Sequence, residues 1–473
     1  MSQEKLNDVA VIGLGVMGSS LARNFASRGL AVGGFDLDVE GARALAAKYP
    51  DAKLDIAANA RELIARLERP RRIVLLVNAG RAVDAVLDSL DPLLEEDDIV
   101  VDSGNSLFRD TDRRNARAQE RPWRFVGMGV SGGAEGALLG PAMMPGGDVQ
   151  AWERLKPVLE SIAARSHAGP CVGYCGRGSA GHFVKMVHNG IEYGDMQLIA
   201  EASVLLRRGL GKSADEVADI FGQWNEGELE SFLVEVSSNI FRTVDPKDHE
   251  TPLVDAILDQ AGQKGTGRWT VLTAIELGIP VPTIAAAVDA RALSSFKALR
   301  IEFEGAYAPK RRGLGDLSVD DIGRALYASK IASYTQGFQL LEAASREFDF
   351  GTDLGEVARL WTAGCIIRAR FLDRIREVYA EHAPALLALA PSFVDELGGR
   401  VPAWRNVVSR ATGAGYPVPG FAASLTWFDT LTTAQGSANV IQAQRDYFGS
   451  HTYERADAPG EFVHTDWPRG GDA

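Results

Sequence analysis

The chain has 473 residues, 46% hydrophobic and 24% charged, with a formal net charge of −13. These proportions describe a globular protein of two or three domains, and the acidic balance argues against a general nucleic-acid binder, whose surface is basic. No run of about 18 apolar residues offers a membrane span, and no charged-then-apolar leader opens the chain, so a cytoplasmic protein is expected. The three cysteines, Cys171, Cys175 and Cys365, are too sparse for a disulfide framework and lack the further ligands of a zinc site; no metal is expected. Any anionic substrate must be drawn in by a local basic cluster against the overall field.

Val9–Ile12 reads as a buried strand, and Gly13-Leu-Gly15-Val16-Met17-Gly18 follows it and opens a helical pattern. A second strand, 31–35, ends at Asp36; further strands are expected at 73–77, 99–101 and 125–130, separated by helical periodicity. Alternation of this kind implies a doubly wound, mainly parallel sheet, a Rossmann-type dinucleotide-binding domain over residues 1–178. The glycine motif has little specificity alone, but between a strand and a helix it suits a pyrophosphate at the helix N-terminus. Asp36 stands where a carboxylate accepts hydrogen bonds from the adenosine ribose hydroxyls. Its neighbours Leu37 and Asp38 carry no positive charge, so a 2′-phosphate would be repelled and NAD is favoured over NADP. The alternative is that Asp36 only caps a turn, which leaves cofactor choice open.

From Ser179 the character changes. Residues 180–208 read as one long helix, and nearly everything to Gly436 is helical, giving a second, all-α domain over 179–436. A faint duplication runs through it: Gln197-Leu-Ile, Ala202-Ser203 and Glu216-Val-Ala recur as Gln339-Leu-Leu, Ala344-Ser345 and Glu356-Val-Ala. Residues 437–473 form a polar, Pro/Gly-rich tail with no core of its own, either disordered or docked on something.

Within the long helix, Lys185, His188, Asn189 and Glu192 fall on one face, inside an arc of roughly 100°. Such a stripe is often merely solvated. The second copy argues otherwise, because its equivalent positions hold Tyr327, Lys330, Ile331 and Tyr334. The scaffold does not need the first set.

The stretch Gly181-His-Phe-Val-Lys-Met-Val-His-Asn-Gly-Ile-Glu-Tyr-Gly-Asp195 resembles the signature of the 6-phosphogluconate dehydrogenase family. So do Val130-Ser-Gly-Gly133, Asp102-Ser-Gly-Asn-Ser106, Gln263-Lys-Gly-Thr-Gly267 and Arg445-Asp-Tyr-Phe-Gly-Ser-His451, in the family's order across essentially the whole chain. The resemblance implies oxidative decarboxylation of 6-phosphogluconate to ribulose 5-phosphate in the pentose phosphate pathway. Lys185 would be the general base and Glu192 the general acid. Substrate carboxylate and hydroxyls would meet Asn105, Ser131, Gly132, Gly133, His188 and Asn189, and the phosphate Tyr193, Lys264, Thr266 and Arg291. Arg445 and His451 match positions that reach in from a partner subunit, which implies a homodimer with shared sites and a docked tail. Val77, Asn78, Ala79 and Asn105 would join the glycine loop around the dinucleotide.

Three departures stand out. Most family members place Asn-Arg-Thr where this chain has Asp36-Leu37-Asp38; the usual Lys is Asn78; and a family Gly is Ser103. The first agrees with a preference for NAD. Competing readings are the same fold acting on another phosphorylated β-hydroxyacid, and a dinucleotide sensor without turnover.

Overall fold

The computed structural model describes residues 6–467. Strand β1, Val9–Ile12, is buried at all its positions, as a strand covered on both faces must be. Val9 and Val11 pack into one core with Leu21, Phe25 and Leu159, while Ala10 and Ile12 pack into another with Leu63, Leu87 and Phe125. Alternation along the strand thus feeds two helical layers.

The remaining strands are β2 (Val32–Phe35), β3 (Asp55–Ile56), β4 (Arg72–Leu75), β5 (Ile99–Asp102), β6 (Arg124–Ser131) and β7 (Ala142–Gly147), in the order β3-β2-β1-β4-β5-β6-β7. Strands β1 to β6 run parallel, and β7 pairs antiparallel with β6. The order reverses between β1 and β4, opening a crevice at their carboxyl ends. Strand β7 was not expected from sequence, since Pro145, Gly146 and Gly147 break its pattern. At the edge of the sheet a proline costs no ladder bond on its open side.

The long helix spans Ala180–Val204, shorter than the expected 180–208. Leu205–Gly209 widens into a π-type turn in which Leu210 N–H reaches the Leu205 carbonyl, and Gly211 follows at φ +71°. The counterpart of this helix in the duplication is Val319–Glu347, started by a Ser318/Asp321 capping box. Each is followed by a capped helix, Ala214–Asn225 behind Ser213 and Leu354–Leu360 behind Asp353. The repeated Glu216 and Glu356 donate their backbone N–H to these two caps. The repeated letters therefore mark the same helix start twice.

By their contacts the described residues fall into one unit through Ser424 and a second from Leu425 onward. The second has more order of its own than its composition suggests: a helix, Ala438–Gly449, and a hairpin, Tyr453–Arg455 with Ala458–Val463. Its centre is polar. Asp446, without exposed surface, accepts from Thr452 N at 2.9 Å, His464 Nδ1 at 2.8 Å, Thr465 N at 3.1 Å and Trp467 Nε1 at 2.9 Å. Four donors on one carboxylate replace the apolar core that a tail of this length lacks. The last six residues of the expected tail lie outside the described range. Among the described residues no helix is long and apolar enough to cross a membrane.

Candidate active site

Two of the three glycines after β1 are there for lack of space. A Cβ on Gly13 (φ +92°) would lie 2.6 Å from the Leu76 carbonyl oxygen, and one on Gly18 would overlap the Gly13 carbonyl. Gly15 has nothing within 4 Å. The turn is packed from beneath and open above Gly15, where the Val16–Ser27 helix begins. Unpaired N–H groups face out there, so the pyrophosphate of a dinucleotide fits.

Asp36 ties this turn to the next: its carboxylate accepts from Leu14 N at 2.7 Å and from Asp38 N at 3.0 Å. A carboxylate has about four acceptor sites, so two remain for ribose hydroxyls. Asp38 caps the Val39–Lys48 helix through Gly41 N, and Leu37 is 93% exposed. Half-buried Val77 and exposed Asn78 and Ala79 follow β4, and exposed Asn105 follows β5, all beyond the carboxyl ends of the strands.

The long helix is seated on β6 and β7 by glycines. A Cβ on Gly181 would overlap the carbonyls of Gly127 and Met144, and one on Gly129 would overlap the Lys185 side chain. Backbone meets backbone here, which fixes where Lys185 begins. Its amine ends 3.4 Å from His188 Nδ1. His188 is fully buried, with Nδ1 at 3.0 Å from Asn189 Oδ1 and Nε2 at 3.1 Å from Ser131 Oγ. Ser131 Oγ also accepts from Ile366 N at 3.4 Å.

An amide oxygen only accepts, so His188 Nδ1 carries the proton and Nε2 accepts from Ser131. That proton is taken by Asn189, so the Lys185 amine stands beside the ring at 3.4 Å without a tight partner there. Burial sets its charge. Burial pushes Lys185 below its ordinary value, against the pull of Glu192 and Cys365, and burial likewise holds His188 well below its own. Glu192, whose Oε2 lies 3.8 Å from His188 Nδ1, is raised by burial, with Lys185 and Arg291 opposing. The result is a base inclined to be neutral and an acid inclined to be protonated on one helix face.

Next along the helix, Tyr193 lies beneath the Arg291 guanidinium, 3.7 Å from its ring centroid. Gly267 packs against the same ring, bringing in the N-terminus of the Thr266–Glu276 helix, where Thr266 is buried and Gly265 takes φ +99°. Thr270 Oγ1 donates to the Met186 carbonyl at 2.8 Å and pins the two helices together. Exposed Lys264 precedes this N-terminus. A phenol, a hydroxyl, a guanidinium and a helix N-terminus are thus brought together, groups whose chemistry suits an anion.

The turn Ser131-Gly132-Gly133 takes left-handed backbone at both glycines, and a Cβ on Gly132 would lie 2.6 Å from the Gly364 carbonyl oxygen. The Trp361–Arg368 loop therefore closes over this turn, and Trp361 stands edge-on to His188 at 5.6 Å. Sequence reasoning missed this loop because it contributes backbone groups. Arg445 and His451 lie in the second unit, both exposed, on either side of Asp446; Arg445 bonds Gln442 Oε1 at 3.1 Å.

The pattern described as the C-terminal domain of 6-phosphogluconate dehydrogenase matches residues 181–467, and that of its NAD binding domain matches 8–176. The chain belongs to the 6-phosphogluconate dehydrogenase family. It is 49% identical over 469 residues to the decarboxylating 6-phosphogluconate dehydrogenase of Synechococcus elongatus, covering 98% of this chain and 99% of that one. It is 46% identical to the NADP(+)-dependent decarboxylating enzyme of Bacillus subtilis, over 97% and 98% of the two chains. Plasmodium falciparum 6-phosphogluconate dehydrogenase, solved in its apo form and in complexes with NADP+ and 6-phosphogluconate, superposes with a TM-score of 0.93 at 42% identity, covering 97% of this chain and 100% of that one. A decarboxylating, pyridine-nucleotide-dependent dehydrogenase is the coarse class these likenesses define.

Proposed function

We propose that this chain oxidatively decarboxylates 6-phosphogluconate to ribulose 5-phosphate and CO2. The observation that carries this reading is the buried Lys185 amine, depressed by burial, on the same helix face as Glu192, raised by burial. A bound dinucleotide supplies the hydride acceptor. Lys185 takes the proton of the 3-hydroxyl as C3 loses its hydride, which leaves a ketone β to the carboxylate. Loss of CO2 then places negative charge on the C3 oxygen, toward which protonated Lys185 donates. Glu192 delivers a proton to the carbon that lost CO2, C2 of the acid and C1 of ribulose 5-phosphate, and completes the product. Ser131, the two glycines after it, His188, Asn189 and Asn105 hold the carboxylate and hydroxyls, and Tyr193, Lys264, Thr266 and Arg291 hold the phosphate.

The dinucleotide is read as NAD in preference to NADP. Support comes from the Asp36 carboxylate at the ribose end and from Asp38 two residues on, which would repel a 2′-phosphate. The Bacillus subtilis relative is named for NADP, so the direct comparison of both cofactors is required.

The active form is read as a soluble cytoplasmic homodimer whose sites are completed by the partner subunit's Arg445 and the partner's His451. Support comes from the Lys297–Tyr307 helix, which has no buried residue and exposes Leu299, Ile301, Phe303 and Tyr307. Leu272, Ile275 and Leu293 are exposed on the two helices before it, and Phe296 in the turn that leads into it. A monomer rarely leaves that much apolar surface in water.

The test is to supply 6-phosphogluconate with NAD or NADP and follow reduced dinucleotide and CO2 together. One CO2 per reduced dinucleotide is expected, at higher kcat/KM with NAD. Reduction without CO2, or no reaction with either, contradicts the reading.

A further inference from the structure

The duplicated helix does not only support the first copy. Lys330 and Tyr334, which stand where the first copy has His188 and Glu192, both turn toward Asp195, one turn beyond Glu192 on the long helix. Lys330 Nζ donates to Asp195 Oδ2 at 2.6 Å, with both side chains 1% exposed. Tyr334, fully buried, points its hydroxyl between two acceptors: Asp195 Oδ2 at 3.2 Å and the Ile367 carbonyl at 2.9 Å. Its single proton serves one of them at a time, and the shorter contact is to the loop.

That loop carries the backbone groups of the candidate site. Ile366 N donates to Ser131 Oγ, and Ser131 meets His188, whose other nitrogen meets Lys185. Hydrogen bonds joined by the backbone of Ile366 and Ile367 therefore link Tyr334, through Ser131, to the ring beside the Lys185 amine. The buried ion pair holds the near end of the path. A buried phenol needs some acceptor in any case; what singles out Tyr334 is that its shorter bond is to the loop that in turn bonds Ser131.

We propose that Tyr334, held against the Asp195–Lys330 pair, is a positioning residue for the reaction: it fixes the Trp361–Arg368 loop and, through Ser131, the His188 ring beside Lys185. This rests on the function proposed above. It adds that the second copy of the repeat, which lacks the reacting groups, sets their geometry.

The experiment is a double-mutant cycle of Tyr334→Phe with Ser131→Ala, read as kcat, both KM values and melting temperature beside the unaltered chain. Tyr334→Phe is expected to remain folded and lower kcat about tenfold, leaving the dinucleotide KM within about twofold. In the Ser131→Ala background it should cost less than about twofold more, since effects sharing one path are not additive. A normal kcat, or losses that simply multiply, would overturn the proposal. An inactive unaltered chain would instead sink the proposed function. Should Tyr334→Phe not fold, Asp195→Asn with Lys330→Gln removes both charges together and strands no buried ion. The same kcat loss at constant dinucleotide KM is expected there, and full activity would overturn the proposal.

Discussion

Gly129 lies so close beneath Lys185 that a single added methyl would overlap the lysine side chain. The strand and the helix meet there with no side chain between them, so the root of the candidate base is fixed by backbone. Gly129→Ala must therefore push the helix or twist Lys185. Overpacking of this kind costs about 1–3 kcal/mol, and the activity should fall further than the stability. Denaturant unfolding and kcat measured on the same preparation check this; unchanged kcat would show that the close seat is unnecessary.

Lys185→Met keeps a long apolar stem in a buried slot and removes only the amine. The fold should persist, with circular dichroism and oligomeric state unchanged. Dinucleotide reduction should drop by about 10²–10⁴-fold, the usual worth of a general base. Residual activity within tenfold of normal would exclude Lys185 from proton transfer.

The proposed preference for NAD rests on three residues. Leu37 is exposed and free to be replaced, while Asp36 also ties down Leu14 N. Asn is the suitable neutral replacement there, because its oxygen still accepts that bond. Combining Leu37→Arg with Asp36→Asn and Asp38→Asn should move the ratio of kcat/KM values toward NADP by at least about tenfold, or about 1.4 kcal/mol. No movement in that ratio would remove the argument for NAD.

In the second unit, burial works against the charge of Asp446, but bonds from His464, Trp467, Thr465 and Thr452 hold its carboxyl well below the usual range. A carboxylate depressed in the folded state contributes stability above its unfolded value, lost only as pH falls through the folded one. The tail should thus stay ordered in mild acid. Asp446→Ala should raise amide exchange across residues 453–465 and raise the KM for 6-phosphogluconate about tenfold with a smaller change in kcat. An unchanged KM would separate the tail from phosphate binding.

The sheet was legible where apolar runs stop at a glycine or a polar residue: β1 has the expected ends, and β2, β4, β5 and β6 lie within two residues of theirs. Strand β7 was hidden by Pro145 and its two glycines, which sit in a strand only because it lies at the edge. The face of Lys185, His188, Asn189 and Glu192 was readable from helical spacing alone. Their surroundings were not, because Ile366 and Ile367 act through backbone N–H and carbonyl, which leave no mark in the side-chain alphabet. Nor did Lys330 and Tyr334 signal a role, since their partner Asp195 is far along the chain. The fold of the tail was missed for a related reason: a single buried aspartate, rather than apolar periodicity, organises it.

Proton transfer from the 3-hydroxyl requires Lys185 to be an uncharged amine when substrate arrives. In Glu192→Gln the carboxyl no longer titrates and its pull on Lys185 is gone, so the pH dependence of single-turnover dinucleotide reduction reports that amine alone. The rate should rise with pH along one limb and level off well below about 10.4, the ordinary lysine value. A rate still climbing at that pH, or one that falls as the medium becomes alkaline, would contradict a neutral base held by burial.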